Sequence, residues 1–261
     1  YGTVTGVQTC ALPIFFARRP QDIVRVYVSH ARHKHFATML AWCARERRGY
    51  QVVGADSLER LTKSVHHEGV AILAKQAGRW DLAALLAAIA APGRDPLLYL
   101  DGVQNPHNLG SILRTAAHFG VGAIVGRDGD LPPLSPAAVR VAEGAAEHVP
   151  VCDLADPEAD LGRLKKAGYR IVVTSSHAGE PLFSARLAGR VVLVLGSEGE
   201  GVSKPIDAMA DLRVRIPGTG AVESLNVSVA CGVVLAEVWR QGAASRDRKS
   251  TRLNSSHSSV S

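Results

Sequence analysis

The chain has 261 residues, 46% hydrophobic and 21% charged, an ordinary composition for one or two globular domains. No run of about 18 apolar residues occurs, so no membrane-spanning helix is expected, and no basic segment precedes the apolar residues 11–16 as a signal peptide requires. The net charge of +6 is uneven: residues 15–76 hold 11 Lys and Arg against 5 Asp and Glu, while residues 77–247 carry a net −3. A polyanion-binding module beside a near-neutral body accounts for this, and so does a merely solvated basic surface. Cys10, Cys43, Cys152 and Cys231 are far apart and form no CxxC pair, which excludes a zinc knuckle or redox dithiol and fits a reducing, cytoplasmic setting.

The two ends stand apart. Residues 1–14 (YGTVTGVQTCALPI) and 248–261 (RKSTRLNSSHSSVS) resemble translated sequencing-adapter read-through. They are set aside from fold reasoning, and the natural start is expected upstream. Residues 242–261, Ser-rich and poor in apolar side chains towards the end, are expected to form a disordered tail.

Between them, residues 22–29 (DIVRVYVS) predict a β-branched strand. Residues 33–48 place Phe36, Met39, Leu40 and Cys43 at helical spacing, with Gly49 as the C-cap. A strand at 50–53, a helix at 57–64 capped by Ser57, and a strand at 69–74 complete a small α/β unit over 15–76, truncated at its start. Residues 77–95, an Ala/Leu-rich helix followed by APGRDP, form the linker. A second domain over 96–241 alternates strands at 97–100, 121–125, 170–174, 191–195 and 212–216 with helices at 108–119, 136–146, 161–167 and 226–240. Unbroken apolar strands among helices predict an α/β fold with a parallel sheet covered on both faces.

Ligands of such sheets bind beyond the carboxyl ends of the strands. Three polar, Gly-rich stretches follow strands here: DGVQNPHNLGS from Asp101, GSEGEGVS from Gly196 and PGTGAVESLN from Pro217. In the first, Asn108 is a candidate helix cap and Arg114, nearly two turns on, can point back towards the helix start. A phosphate or ribose partner is physically reasonable, and a cap with a surface ion pair is the plainer account. In the second, three glycines allow close backbone approach, no GK[ST] follows, and Glu198 and Glu200 disfavour a nucleoside triphosphate. A sulfonium cation or a ribose diol suits that loop, as does an ordinary turn. In the third, Ser224 or Asn226 caps the last helix. His66 and His67 lack the further ligands that a metal would need, and no Ser/His/Asp or Cys/His grouping is evident.

Together the three segments resemble the signature motifs of the SpoU family, also called the TrmH family, within the SPOUT superfamily. DGVQNPHNLGSILRTAAHFG is similar to the first, VLVLGSEGEGVS to the second and RIPGTGAVESLNVSVA to the third, in family order. Residues 17–76, ending in HHEGVAILAK, resemble the family's accessory RNA-binding domain, itself similar to a small ribosomal protein. The resemblance implies a deep trefoil knot, a homodimer whose active site draws on both subunits, and S-adenosylmethionine as cofactor, with no metal and no membrane. It implies methylation of a ribose 2′-hydroxyl in rRNA or tRNA, the accessory domain favouring rRNA. Carried over, Gly196, Ile216 and Leu225 contact the cofactor largely through backbone, with Thr174 on a neighbouring strand. Asn108, Arg114, Glu198, Ser224 and Asn226 match positions of catalysis or substrate placement. The second motif often carries Asn where this chain has Ser197, which still donates and accepts a hydrogen bond.

In relatives a proton-accepting role has been proposed for the arginine matched by Arg114. Arginine stays protonated in proteins, so Arg114 is expected instead to fix the ribose and adjacent phosphate and to stabilise alkoxide charge. The alternative is a non-catalytic RNA-binding or ribosome-assembly factor on the same fold, against which Asn108, Arg114, Glu198 and Asn226 argue. A nucleotide-dependent dehydrogenase lacks its GxGxxG.

Overall fold

A computed structural model describes residues 4–5, 11–62, 65, 67–75, 77–91, 93 and 95–257. Most of the expected foreign N-terminal segment, Cys10, the end of the 57–64 helix, His66, two linker residues (Pro92 and Arg94) and the last four residues of the tail lie outside the described residues.

In chain order the elements are β1 (Val4–Thr5), α1 (Ala11–Arg18), β2 (Ile23–Ser29), α2 (Ala37–Arg45), β3 (Gly49–Val53), α3 (Ala55–Thr62), β4 (Val70–Ala74), α4 (Leu82–Ile89), β5 (Leu97–Asp101) and α5 (Pro106–Phe119). They continue with β6 (Ala123–Arg127), α6 (Pro136–Ala142), β7 (Val151–Leu154), α7 (Pro157–Lys166), β8 (Arg170–Thr174), β9 (Glu180–Pro181), β10 (Val191–Gly196), α8 (Lys204–Asp207), β11 (Leu212–Arg215) and α9 (Val227–His257). None of the described helices is long and apolar enough to cross a membrane. Two compact units result, one from Tyr1–Arg79, Asn105–Arg114 and Pro132–His148, the other from Trp80–Gln104, Thr115–Leu131 and Val149–Ser261.

The first unit holds a four-stranded sheet in the order β1-β4-β2-β3, with β2 parallel to β3 and antiparallel to β4. Ile23, Val26 and Val28 of β2 meet Val70 and Ile72 of β4, and Phe36, Met39 and Cys43 cover them. Helix α2 is shorter than the 33–48 span expected. The preceding basic segment, HARHKHF, forms turns instead. Gly49 is not its cap: Arg47 takes the left-handed conformation (φ 55°), and Gly49 opens β3, where a side chain would press on Arg25 Nε at 3.0 Å. Helix α3 starts at Ala55, so Ser57 lies inside it rather than capping it.

The second unit is built on a seven-stranded parallel sheet in the order β7-β6-β5-β10-β8-β11-β9. Its central strands β5 and β10 pair from Leu97↔Val192 to Asp101↔Gly196. Leu97 and Tyr99 face the core formed with Leu82, Leu85 and Ile89 of α4 and Leu161 and Leu164 of α7, while Leu98 and Leu100, also buried, point to the opposite face. Such double-sided burial explains why these strands read as unbroken apolar runs. Strand β7, which no run of apolar residues announces, forms one edge, where Trp80 bridges Cys152.

Helix α9 begins after Asn226 as expected but extends to His257, beyond the expected end at Arg240 and through residues expected to lack structure. Residues 243–257 contain no Pro or Gly, so no strong local breaker interrupts the helix. Its Glu237 is 5% exposed and accepts from Arg240 Nε (2.8 Å) and Gln241 Nε2 (2.7 Å), and Gln241 in turn bonds Ala185 O and Leu187 N–H. The Arg240 guanidinium, outweighing burial and helped by Gln241, holds the Glu237 carboxyl below the usual range.

Candidate active site

Strands β8, β10 and β11 end side by side, and the loops that follow them enclose a cleft of about 930 Å³. That volume suits a small-molecule ligand. Thr174, Gly196, Glu198, Ile216, Ser224 and Leu225 all line it. Residues of the second and third Gly-rich stretches thus line one cleft within this unit.

Gly196 ends β10, and a Cβ there would fall inside the backbone of Gly201 and Val202. Only glycine lets the loop fold back this closely. Ser197 and Gly201 exchange two backbone hydrogen bonds of 3.1 Å, and Ser197 Oγ accepts the Glu200 N–H at 3.2 Å. Asp101, at the end of the neighbouring β5, accepts the Ser203 N–H at 2.6 Å and so fastens the far side of the loop. On β8, Thr174 Oγ1 donates to Val194 O at 2.9 Å, while Ser175 Oγ accepts the N–H groups of His177 and Ala178.

The third stretch carries Leu225, 43% exposed, towards the start of α9. Of the two candidate caps it is Asn226 that engages the helix start: its Oδ1 accepts the Ser228 N–H at 2.9 Å and the Ser228 hydroxyl at 2.6 Å. Asn226 Nδ2 donates to Glu198 Oε1 at 2.6 Å, and the same oxygen accepts the Val227 N–H at 3.4 Å. A carboxylate at a helix N-terminus is favourably placed. Two residues 28 positions apart thus join the second and third motifs.

Arg213, another cleft residue, is engaged by Asp207 through two bonds of 2.9 and 3.0 Å. At the rim His177 Nε2 lies 3.3 Å from Glu223 Oε1. Sequence reasoning had singled out neither these two nor Asp101. Their signal was weak, since a polar residue in a polar loop stands out only once its partner is known.

Asn108 and Arg114 lie on the part of α5 that belongs to the first unit. Asn108 is not the cap: the helix starts at Pro106, and Asn105 Oδ1 accepts the His107 N–H at 2.9 Å. Proline suits a first helical position, which moves the start two residues earlier than expected. Arg114 is exposed and forms an ion pair with Glu143, Nη1 to Oε1 2.8 Å. His67 Nδ1 accepts the Gly69 N–H at 2.9 Å, a turn-forming role. Cys43, Cys152 and Cys231 are buried free thiols, and burial pushes those of Cys152 and Cys231 up to about 12. Neither is an activated nucleophile.

Residues 95–236 match the model of the SpoU rRNA methylase family, and residues 15–80 match the RNA 2′-O ribose methyltransferase substrate-binding domain. The chain is 41% identical over 241 residues to the uncharacterized tRNA/rRNA methyltransferase YfiF of Escherichia coli O157:H7, covering 92% of this chain and 68% of that one. It is 36% identical over 224 residues to the 23S rRNA (guanosine-2′-O-)-methyltransferase RlmB of Bordetella pertussis, covering 85% and 91%. Its fold is similar to that of the SpoU methyltransferase AviRb from Streptomyces viridochromogenes, whose structure holds AdoMet. The TM-score is 0.71 at 21% identity, covering 90% of this chain and 88% of that one.

Proposed function

Since the chain belongs to the SpoU rRNA methylase family, we propose that it transfers a methyl group from S-adenosylmethionine to a ribose 2′-hydroxyl of RNA, with rRNA the favoured substrate over tRNA. The observation that carries this reading is the cleft at the ends of β8, β10 and β11, with the Glu198–Asn226 pair at its side.

The cleft fits the cofactor. Gly196 offers bare backbone, Ile216 and Leu225 offer backbone groups and apolar contact, Thr174 lies on the adjoining strand, and the volume of about 930 Å³ is ample. When bound, S-adenosylmethionine supplies an electrophilic methyl on a sulfonium centre. Transfer makes a bond from the 2′-oxygen to that carbon and breaks the carbon–sulfur bond, whose electron pair stays on sulfur. The hydroxyl proton leaves to solvent or a carboxylate. Catalysis is therefore mainly a matter of positioning. Glu198 and Asn226 fix the start of α9 and the loop carrying Ser224, and Ser224 and Asn108 offer hydrogen bonds to the RNA. Arg114 holds the ribose and phosphate and stabilises charge on the 2′-oxygen.

The same reading includes the deep trefoil knot, a cytoplasmic setting, and a homodimer. Val229 and Trp239 of α9, both 52% exposed, are the apolar side chains that a second copy would cover. Analytical ultracentrifugation showing only monomer would end the dimer proposal.

The central test combines calorimetry of S-adenosylmethionine binding with transfer of a labelled methyl to unmodified 23S rRNA and tRNA transcripts. Nuclease digestion should return the label on 2′-O-methylated nucleosides. A folded protein that binds no S-adenosylmethionine would favour the non-catalytic RNA-binding alternative.

A further inference from the structure

We propose that Glu143 is a positioning residue for Arg114, holding its guanidinium by one edge and leaving its other donors for RNA. This rests on the reading of Arg114 in methyl transfer.

Three observations within the first unit lead to it. The first is Gly110, buried on α5 one helical turn before Arg114 and on the same side of the helix. A Cβ there would lie 2.6 Å from Ala138 O and 2.9 Å from Val141 Cβ, both on α6. Glycine alone lets α6 lie directly against α5, and this brings the end of α6 beside Arg114. The second is the way α6 stops. Glu143 adopts the left-handed conformation (φ 46°, ψ 47°), with its N–H bonded to Arg140 O at 3.2 Å. That conformation is disfavoured for a residue with a Cβ, and glycine would adopt it freely. Gly144 follows at once with φ 85°, so the turn sets a carboxylate in the first of two left-handed positions. A side chain kept where the backbone disfavours it points to a task for that side chain. The third is the contact it makes: Glu143 Oε1 lies 2.8 Å from Arg114 Nη1.

The pair is too exposed to contribute much stability, Arg114 being 58% and Glu143 35% exposed. What it supplies is direction. A guanidinium is a rigid planar fork with five donors, and engaging Nη1 restricts where it points while Nε and Nη2 remain available to a phosphate or ribose. The spacing of 29 residues between the partners hides this relation in the sequence.

The test uses the full chain with Glu143→Gly, Glu143→Gln and Arg114→Ala. Glu143→Gly removes the carboxylate and the backbone strain together, so the fold is retained or stabilised, which thermal melting checks. Nuclear magnetic resonance of the arginine guanidinium groups reads the hold directly, with Arg114 assigned by its loss in Arg114→Ala. Its Nη signals should be distinct in the parent protein and averaged in Glu143→Gly. Methyl transfer to an unmodified 23S rRNA transcript should fall in kcat by about tenfold or more, with the Kd for S-adenosylmethionine unchanged and Glu143→Gln intermediate. Unaltered Nη signals in Glu143→Gly would overturn the proposal. So would full turnover by Glu143→Gly where Arg114→Ala is inactive. If Arg114→Ala itself keeps full turnover, the reading of Arg114 has failed instead, and the resonance measurement still decides whether Glu143 orients it.

Discussion

The two Gly-rich loops that share the cleft are built in opposite ways. Residues 196–203 are cross-tied: Ser197 to Gly201 twice, Ser197 to Glu200, and Ser203 to Asp101. Residues 217–225 are exposed throughout, and the Ala221 N–H reaches Thr219 Oγ1 only at 3.4 Å. The first wall is held by its own hydrogen bonds, while the second is exposed and is met by His177 through Glu223 at 3.3 Å. A binding site gains precision from the first and access from the second.

The strongest way to break this contrast is Gly196→Ala. The added methyl falls within the Gly201–Val202 backbone, so the fixed wall must move. We expect a destabilisation of about 1–3 kcal/mol, read by denaturant unfolding, and an affinity for S-adenosylmethionine weakened by roughly 10–100-fold, read by calorimetry. Asp101→Ala comes next. It removes a charged acceptor from the Ser203 N–H and should cost about 1.5–3 kcal/mol at most, with a loss of affinity near the lower end of that range because the glycine geometry survives.

A third experiment leaves the cleft and sharpens the meaning of its fixed side by titrating another tie on α9. The Glu237 carboxyl is held below the ordinary range, so its folded pKa lies under its unfolded one. The stability it contributes is complete above the usual carboxylate pKa of about 4 and is lost as the pH falls through the folded value. Glu237→Gln should therefore flatten the acid limb of a plot of melting temperature against pH, and an unchanged limb would contradict the assignment. The smallest effect belongs to the open wall. Leu225→Ala should alter stability by no more than about 0.5 kcal/mol while weakening S-adenosylmethionine binding a few-fold. A large loss of stability would show that residues 217–225 are part of the fixed scaffold after all.

Legibility in the sequence follows the same division. The strands 97–101, 170–174 and 191–196 were visible because burial on both faces leaves apolar runs with no competing account. Gly196 was singled out through the resemblance of its motif, since position alone left an ordinary turn open. Strand β7 was not, since Val151–Leu154 is short, includes Asp153 and follows a proline. The start of α5 was misjudged by two residues because Asn108 and Asn105 are equally good caps on paper, and Pro106 decides between them. Pairings at long separation escaped altogether: Glu198 with Asn226, Asp101 with Ser203 and Arg114 with Glu143. Each needs two polar residues in separate loops, and no local pattern distinguishes a partnered carboxylate from a solvated one.

The order of strands in the parallel sheet also sets a timetable. Strand β5 lies between β6 and β10, and its whole length from Leu97 to Asp101 pairs with residues 192–196. During synthesis it must wait for roughly ninety further residues, about 4.5–18 s at ordinary elongation rates, before that second neighbour is made. Until then a run of leucines at 97, 98 and 100 has one edge unsatisfied. The interval between emergence of β6 and emergence of β10 is accordingly the one in which this edge of β5 stays open to pairing with another strand.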